Sequence, residues 1–253
     1  MKKLVLLSVL YAGCADNRET LFVRQVQAFD EECNVNPDPS SLFHTGGLLD
    51  VAYQGEYVLT PLIENQMVSR ENRDAVRVES NGVQIDGAII RIYETSDPNL
   101  PPEETEPVLE FFSYASSYIE PESVGASIFT GIPPEYTTRR YQDICGFAPG
   151  GNFGGYNPAS DLVLVGATVQ GITNGGIAVE SPEFYYPVSL CCGCLVACTP
   201  EADDPALDGN CDSVDEVATI ICNKGQDEPV DCRLTRNAGD DFLRALSACD
   251  GSF

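Results

Sequence analysis

The sequence predicts a mainly β protein: an antiparallel β-sandwich, immunoglobulin-like, followed by a small disulfide-rich C-terminal module that contains two short helices. Between residues 21 and 190, short segments rich in β-branched and aromatic residues follow one another closely, with almost no helical periodicity. After Leu190 the cysteines crowd together and helix signals begin. A chain of 253 residues is long enough for one large β domain or two unequal ones.

Residues 1–13 form a predicted signal peptide. A short basic start precedes an apolar stretch at 4–10, which is too short to span a bilayer, and small residues follow it. We therefore expect the chain to be exported.

The motif Tyr11-Ala12-Gly13-Cys14 resembles the bacterial lipobox, in which the cysteine thiol receives a diacylglyceryl group before cleavage exposes its amine. Leu is usual where this chain has Tyr11, so ordinary signal cleavage is the alternative. The motif predicts lipid attachment at Cys14 and a polar, lipidated tether at 14–20. Two or three acyl chains hold a protein on a membrane where one short chain does not, so a membrane is an expected partner.

The other cysteines support export independently. Once Cys14 is set aside, an even number remains, which predicts five disulfides in an oxidising compartment. A dense thiolate cluster binds zinc, copper(I) or iron–sulfur in a reducing compartment, but export favours disulfides, and no metal or other cofactor is predicted. The predicted disulfide residues are Cys33, Cys145, Cys191, Cys192, Cys194, Cys198, Cys211, Cys222, Cys232 and Cys249.

Adjacent Cys191 and Cys192 point to opposite faces if the preceding strand continues through them. We therefore expect them to pair with different partners, one joining the strand-rich body to the module and the other pairing within the module.

Residues 21–190 form the predicted sandwich domain. Asn81-Gly82 suits a type I′ hairpin turn, and Pro187 suggests that the last strand is an edge strand or begins there. The strands are predicted at 21–29, 48–53, 57–60, 76–79, 83–85, 88–93, 108–116, 126–130, 136–141, 161–172, 177–180 and 184–190.

Residues 191–253 form the predicted cysteine-rich module. Ser213 to Glu216 is a capping box, and apolar residues on one face predict a helix at 214–222. A second apolar stripe predicts a helix at 241–249. Two short helices bury little surface, so disulfides are expected to hold this module together.

The charge excludes nucleic acid as an expected partner. The chain has 39 Asp and Glu against 14 Lys and Arg, a net charge of -25, and such a field repels phosphate polymers and anionic headgroups.

The chain offers few catalytic side chains. Its one histidine, His44, excludes sites that need two imidazoles, and it lies in a loop context that favours a structural or exposed role. After signal cleavage Lys224 is the only lysine.

Oxygen ligands from Asp208 to Asp215 are spaced like a calcium loop, but the twelfth position lacks Glu and Ser213 is better used as a helix cap. No catalytic or metal-binding residue is predicted, and the protein is not expected to be an enzyme.

Several short sequence motifs resemble those of cysteine-rich bacterial lipoproteins of the myxobacterial type, a group for which no activity is known. The resemblance implies an exported, membrane-anchored β protein and implies no activity. The motifs are Tyr11-Ala12-Gly13-Cys14, Phe184-Tyr185-Tyr186-Pro187-Val188 leading into Cys192-Gly193-Cys194-Leu195-Val196, and Cys222-Asn223-Lys224-Gly225-Gln226-Asp227 before Cys232.

Together these features predict a lipid-anchored binding or structural module of the cell envelope, on either face of the outer membrane of a Gram-negative cell. Ala15 favours the outer membrane, because Asp after the lipidated cysteine is associated with inner-membrane retention. Its expected partner is another envelope protein or a glycan. The alternative is a secreted hydrolase that uses paired carboxylates, a chemistry that needs only two acids.

Overall fold

A computed structural model describes residues 20–69, 80–94, 106–146, 157–197, 222–223, 225–228 and 230–231. Within these ranges the chain is mainly β with one helix, which confirms the predicted fold class at that level. The helix is α1 (Pro134–Cys145), and the strands are β1 (Leu21–Gln27), β2 (Phe43–His44), β3 (Gly47–Asp50), β4 (Tyr57–Leu59), β5 (Pro61–Asn65), β6 (Val83–Glu94), β7 (Leu109–Ile119), β8 (Ser123–Ala126), β9 (Phe129–Ile132), β10 (Asn157–Thr173), β11 (Ala178–Glu180), β12 (Phe184–Cys192), β13 (Val196–Ala197) and β14 (Val230–Asp231).

The largest sheet has the strand order β3-β12-β10-β6-β7, and β11 pairs with the far end of β10. Its centre is β6 and β10, the two segments richest in β-branched residues. β6 joins the two strands predicted at 83–85 and 88–93 into one. The pairs are antiparallel except β12 with β3, which run parallel. This parallel pair departs from the all-antiparallel prediction.

A four-stranded sheet has the order β2-β1-β5-β8, and β4 pairs with β9 separately. Only Thr60 separates β4 from β5, and two residues separate β8 from β9. The pairs β5–β8 and β4–β9 are therefore two halves of one bent antiparallel ladder. It bends where Ser127 N donates to Pro61 O at 3.2 Å.

One hydrophobic core joins these sheets. It contains Leu21 of β1, Ile63 of β5 and Phe129 of β9 together with Ile90 of β6 and Val165 of β10, all almost fully buried. The alternation of apolar and polar residues along each strand places these side chains on the inner faces.

Helix α1 corrects the strand that was predicted at 136–141. Pro133 and Pro134 open the helix, where a missing N–H costs nothing, and Gly146 closes it with a φ of 73°. Its buried side chains, Tyr136, Thr137, Tyr141, Ile144 and Cys145, form one helical face. The aromatic and β-branched residues of this segment favour a strand, but the prolines at its start and the glycine at its end favour the helix that forms.

The predicted type I′ hairpin at Asn81-Gly82 is also wrong. Neither residue has a positive φ, which that turn requires of both. Both edges of β6 are already occupied there, because Val83 lies opposite Thr173 of β10 and Ile119 of β7. Neither edge of β6 is therefore free at 83–85, and the predicted strand at 76–79 lies outside the described residues.

The last predicted strand, β12, is an inner strand of the largest sheet. Pro187 is tolerated in it because the ladder to β3 begins one residue later, at Val188 opposite Gly47. β12 also continues past Leu190 to Cys192, across the predicted domain boundary, which itself remains a prediction. The two predicted helices lie outside the described residues except for Cys222, which is in a bend.

Candidate functional site

The junction of β12 with β3 is where the predicted cysteine cluster meets the β body. Cys191 lies opposite Asp50 in the parallel ladder, on the outer face of the sheet, and forms a disulfide with Cys194. Cys192 faces the core and forms a disulfide with Cys145 at the end of α1. The prediction that adjacent Cys191 and Cys192 pair with different partners is confirmed.

The carboxylate of Asp50 is fully buried beside the Cys191–Cys194 disulfide. It accepts hydrogen bonds from the backbone N–H groups of Gly193 at 2.8 Å, Leu195 at 3.0 Å and Ala52 at 3.1 Å. Burial raises the pKa of Asp50, and these three donors offset part of the rise. Asp50 therefore fastens the loop that carries Cys194 to the end of β3.

One carboxylate oxygen of Asp50 and the sulfurs of Cys191 and Cys194 all lie within 4.8 Å of one another. The two sulfurs are bonded to each other, so in this state the group offers a metal ion one carboxylate and no thiolate.

The segment 222–228 docks on the free edge of β3. Asp50 N donates to Gly225 O at 2.8 Å, and Asp227 N donates to Leu48 O at 2.9 Å. The side chain of Asp227 also accepts from Leu48 N at 2.6 Å. A third disulfide, Cys33–Cys222, ties the same segment to the chain after β1. Part of the predicted cysteine-rich module is thus held against the body by both hydrogen bonds and a covalent bond.

Buried phenols reinforce this docking. Tyr57 of β4 donates its hydroxyl hydrogen bond to Asp227 Oδ2 at 2.8 Å, and the hydroxyl oxygens of Tyr57 and Tyr186 lie 3.3 Å apart. Burial, followed by the nearby charge of Asp227, raises the pKa of Tyr57 far above its ordinary value. Tyr57 therefore stays protonated and serves as a donor.

A small cavity lies between this segment and β1, with a volume of about 20 Å³. That is room for one water molecule and not for a sugar ring or a peptide side chain. His44, Thr60, Asn223, Asp227 and Glu228 are among its lining residues. His44 is half-buried at the end of β2, where it pairs with Val26, and this position suits a structural role.

Among the described residues, carboxylates meet in two groups, and each group surrounds an arginine. The Arg91 side chain lies 2.6 Å from Glu110 and 3.3 Å from Glu183, and Glu183 also accepts from the hydroxyls of Tyr93 at 3.1 Å and Tyr185 at 2.9 Å. This network lies on the outer face of the sheet, above Gly166, where a side chain would collide with Glu183.

The second group joins α1 to the ends of β6 and β10. Arg140 forms ion pairs with Glu94 and Asp161, and the hydroxyl of Tyr136 donates to Glu94 at 3.0 Å. Burial and the charge of Glu94 raise the pKa of Tyr136. Because the Arg140 guanidinium lies between Glu94 and Asp161, this contact docks the helix on the sheet. The two carboxylates do not face each other across an open space, as a catalytic pair would.

The outer face of β7 carries three aromatic side chains, which we call the β7 aromatic face: the half-buried Phe112 and the exposed Tyr114 and Tyr118. Tyr114 is 85% exposed and Tyr118 is 48% exposed. The rings of Phe112 and Tyr114 meet edge to face with centroids 4.8 Å apart. Amides border the face, since Asn174 Nδ2 donates to the Tyr118 hydroxyl at 3.0 Å and Gln84 Nε2 donates to Ser116 Oγ at 3.0 Å.

Several predicted residues lie outside the part of the chain that the structure describes. They are Cys14, Cys198, Cys211, Cys232, Cys249, Lys224 and the acidic stretch 208–215. The residue that sequence reasoning missed is Asp50. Its signal was an isolated acid inside the apolar segment 48–53, which is a residue type that is rarely buried without partners.

Comparison with protein-family models and with curated proteins finds no match to this chain. Among the described residues, no helix has the length and apolar character needed to cross a membrane.

Proposed function

We propose that this protein is an exported, lipid-anchored module of a bacterial outer membrane that binds a neutral glycan and is not an enzyme. The observation that carries the binding role is the β7 aromatic face, with its exposed Tyr114 and Tyr118 rings. Large exposed aromatic patches on soluble domains mark interaction sites. Flat phenol rings bordered by amide and hydroxyl groups suit sugar rings, which present C–H faces and hydroxyl edges.

Export and anchoring rest on the signal peptide and lipobox, and the disulfides support them. Cys33–Cys222 includes an exposed cysteine, and disulfides of this kind persist in oxidising compartments outside the cytoplasm. A lipid at Cys14 places the body within the length of the 14–20 tether from the membrane.

The finer architecture belongs to the same proposal: the two sheets form an immunoglobulin-like β-sandwich. β10 lies between β12 and β6, as the F strand lies between G and C in immunoglobulin folds. The core shared by β1, β5, β6 and β10 supports it. A crystal structure in which the sheets do not stack about 10 Å apart would contradict this arrangement.

The hydrolase alternative draws less support. The described acids that meet one another do so around Arg91 and Arg140, and the described cavity has room for one water molecule only. Retaining and inverting glycosidases need two carboxylates on opposite sides of a bound sugar.

Two experiments test the proposal. The intact mass of protein from native membranes is expected to match a chain that begins at Cys14 and carries acyl chains. The Cys14→Ser variant is expected to leave the membrane fraction.

The second experiment titrates purified envelope glycans against three proteins. They are the unaltered chain, the double variant Tyr114→Ala with Tyr118→Ala, and the control Phe43→Ala, which removes a ring of 52% exposure elsewhere. We expect the double variant alone to lose binding. Binding of an envelope protein and no glycan at this face would overturn the glycan assignment.

A further inference from the structure

The Cys191–Cys194 disulfide differs from the other two described disulfides in its surroundings. It closes a Cys-x-x-Cys loop with a sequence separation of 3, against 47 for Cys145–Cys192 and 189 for Cys33–Cys222. Cys191 is 1% exposed, whereas Cys194 is partly exposed, so an external thiol reaches one sulfur of the pair and not the other. Both cysteines of Cys145–Cys192 are buried.

The pair also has a buried carboxylate beside it. Asp50 lies within 4.8 Å of both sulfurs, and it accepts hydrogen bonds from three backbone N–H groups in the part of the chain that the structure describes. A disulfide has no hydrogen to donate, whereas two thiols have two S–H donors. Reduction therefore gives the buried carboxylate new partners, and the Cys191 thiol has a second acceptor in Leu49 O, 3.6 Å from its sulfur.

We propose that Cys191–Cys194 is a redox-active site that exchanges with an external dithiol, with Asp50 as the residue that positions the loop and stabilises the reduced pair. This activity is independent of the lipid anchor and of the glycan face.

The exchange proceeds in two displacements. A thiolate of the external dithiol attacks Cys194 Sγ, the Cys191–Cys194 bond breaks, and a mixed disulfide forms at Cys194. The electron pair stays on Cys191 Sγ, which takes up a proton. The second external thiolate then attacks the external sulfur of the mixed disulfide and releases Cys194, which is protonated in turn. Two electrons and two protons pass to the pair, and the external dithiol is oxidised to a disulfide.

Asp50 is the carboxyl that the described part of the chain places beside the leaving sulfur, within 4.8 Å of it. Burial raises the pKa of Asp50, and its three backbone donors offset part of the rise. Among the described residues, the titratable groups that face it are the two cysteines and Tyr53, whose pKa is raised by burial and by the charge of Asp50. The external thiol releases a proton to solvent when it forms the attacking thiolate. This proton balances the one that Cys191 takes up.

The test equilibrates the native full-length chain with mixtures of reduced and oxidised dithiothreitol at pH 7, followed by acid quench, differential alkylation and peptide mapping. Cys145–Cys192 is the internal reference, because Cys192 adjoins Cys191 on the same strand. We expect Cys191 and Cys194 to become reduced together, with an equilibrium constant about tenfold or more above that of Cys145–Cys192, equal to about 30 mV. The circular dichroism spectrum is expected to stay native. If Cys191–Cys194 is reduced only together with Cys145–Cys192, or only as the spectrum is lost, the proposal is overturned.

Asp50→Asn separates the role of the carboxyl from that of the loop, with the exposed acid Asp86→Asn as a charge-matched control. We expect Asp50→Asn to lower the reduction equilibrium constant about fivefold and to flatten its pH profile, and Asp86→Asn to change neither. If Asp50 has only a structural role, the folded Asp50→Asn variant keeps the reduction potential of Cys191–Cys194 and the pH profile of the unaltered chain. If Asp50→Asn does not fold, the comparison of the two disulfides in the unaltered chain still decides the redox activity.

Discussion

Gln226 completes the hydrogen bonding of Val58 with both ends of its side-chain amide. Gln226 Oε1 accepts from Val58 N at 2.7 Å, and Gln226 Nε2 donates to Val58 O at 2.8 Å. A side chain from the far end of the chain thus takes the place of a neighbouring strand beside β4. Gln226 is only 4% exposed, so water does not compete for these bonds.

Replacing Gln226 is therefore expected to destabilise the protein. Gln226→Ala removes the partners of the part-buried N–H and C=O of Val58, and we expect a loss of about 2 kcal/mol in the free energy of unfolding. Denaturant unfolding measures it. The matched control is Gln84→Ala, an exposed glutamine, for which a change within about 0.5 kcal/mol is expected. Equal effects of the two variants would show that the Val58 contact is not energetically significant.

The long-range disulfide is expected to matter more for stability than the short one. In the chain-entropy model, a cross-link stabilises by restricting the unfolded chain, and the effect grows with loop length. The double change Cys33→Ser with Cys222→Ser is expected to cost about 2 to 5 kcal/mol, and the pair Cys191→Ser with Cys194→Ser less. Thermal melts of both variants test the order. The reverse order would contradict the docking of 222–228 as a stabilising contact.

Alkaline pH is expected to destabilise the fold through Tyr57. Burial and Asp227 raise its pKa in the folded state above the ordinary value of about 10. The stabilising contribution is complete below pH 10 and decreases as pH rises above it, because the unfolded state releases a proton that the folded state keeps. Tyr57→Phe removes this linkage.

Unfolding free energies of the unaltered chain and Tyr57→Phe are therefore expected to converge between about pH 10 and 12. At pH 7 the variant is expected to be less stable by about 1 to 3 kcal/mol, because Asp227 loses a buried donor. Parallel curves across the alkaline range would rule out Tyr57 as the group responsible.

Gly87 is expected to tolerate no side chain. A Cβ there would lie against Ser113 O and the Phe112 ring, at the point where the β6–β7 register shifts. Gly87→Ala is expected to cost about 1 to 3 kcal/mol from forced movement of the strands. Gly55→Ala, where the nearest atom lies 3.7 Å from the added carbon, is the control and is expected to change little. Unfolding curves for the two variants provide the measurement.

Much of the β architecture follows from local patterns in the sequence. Strands were predicted within β10 and β6 because dense β-branched residues favour strands. Glycine permits the φ of 80° at Gly176 in the turn that leads from β10 into β11. The parallel pairing of β12 with β3 was not predicted, since it joins residues about 140 positions apart and no local signal marks it.

The candidate sites also combine features that local sequence patterns predict with features that depend on long-range strand pairing. Pairing of Cys191 and Cys192 with different partners was predictable, because the twofold period of a strand puts adjacent side chains on opposite faces. The position of Asp50 beside them was not, because it depends on the parallel ladder. Helix α1 carried a readable proline and glycine signal, but the tyrosines and threonines at 136–141 outweighed it.

The disulfide between Cys33 and Cys222 has a mechanical consequence. When the chain is pulled by its two ends, tension passes directly through this bond, and the chain between the two cysteines is bypassed. The sheets from β2 to β13 and helix α1 lie in that bypassed segment. A tether at one end can therefore strain and unravel β1, while most of the β body carries no load until the disulfide is reduced.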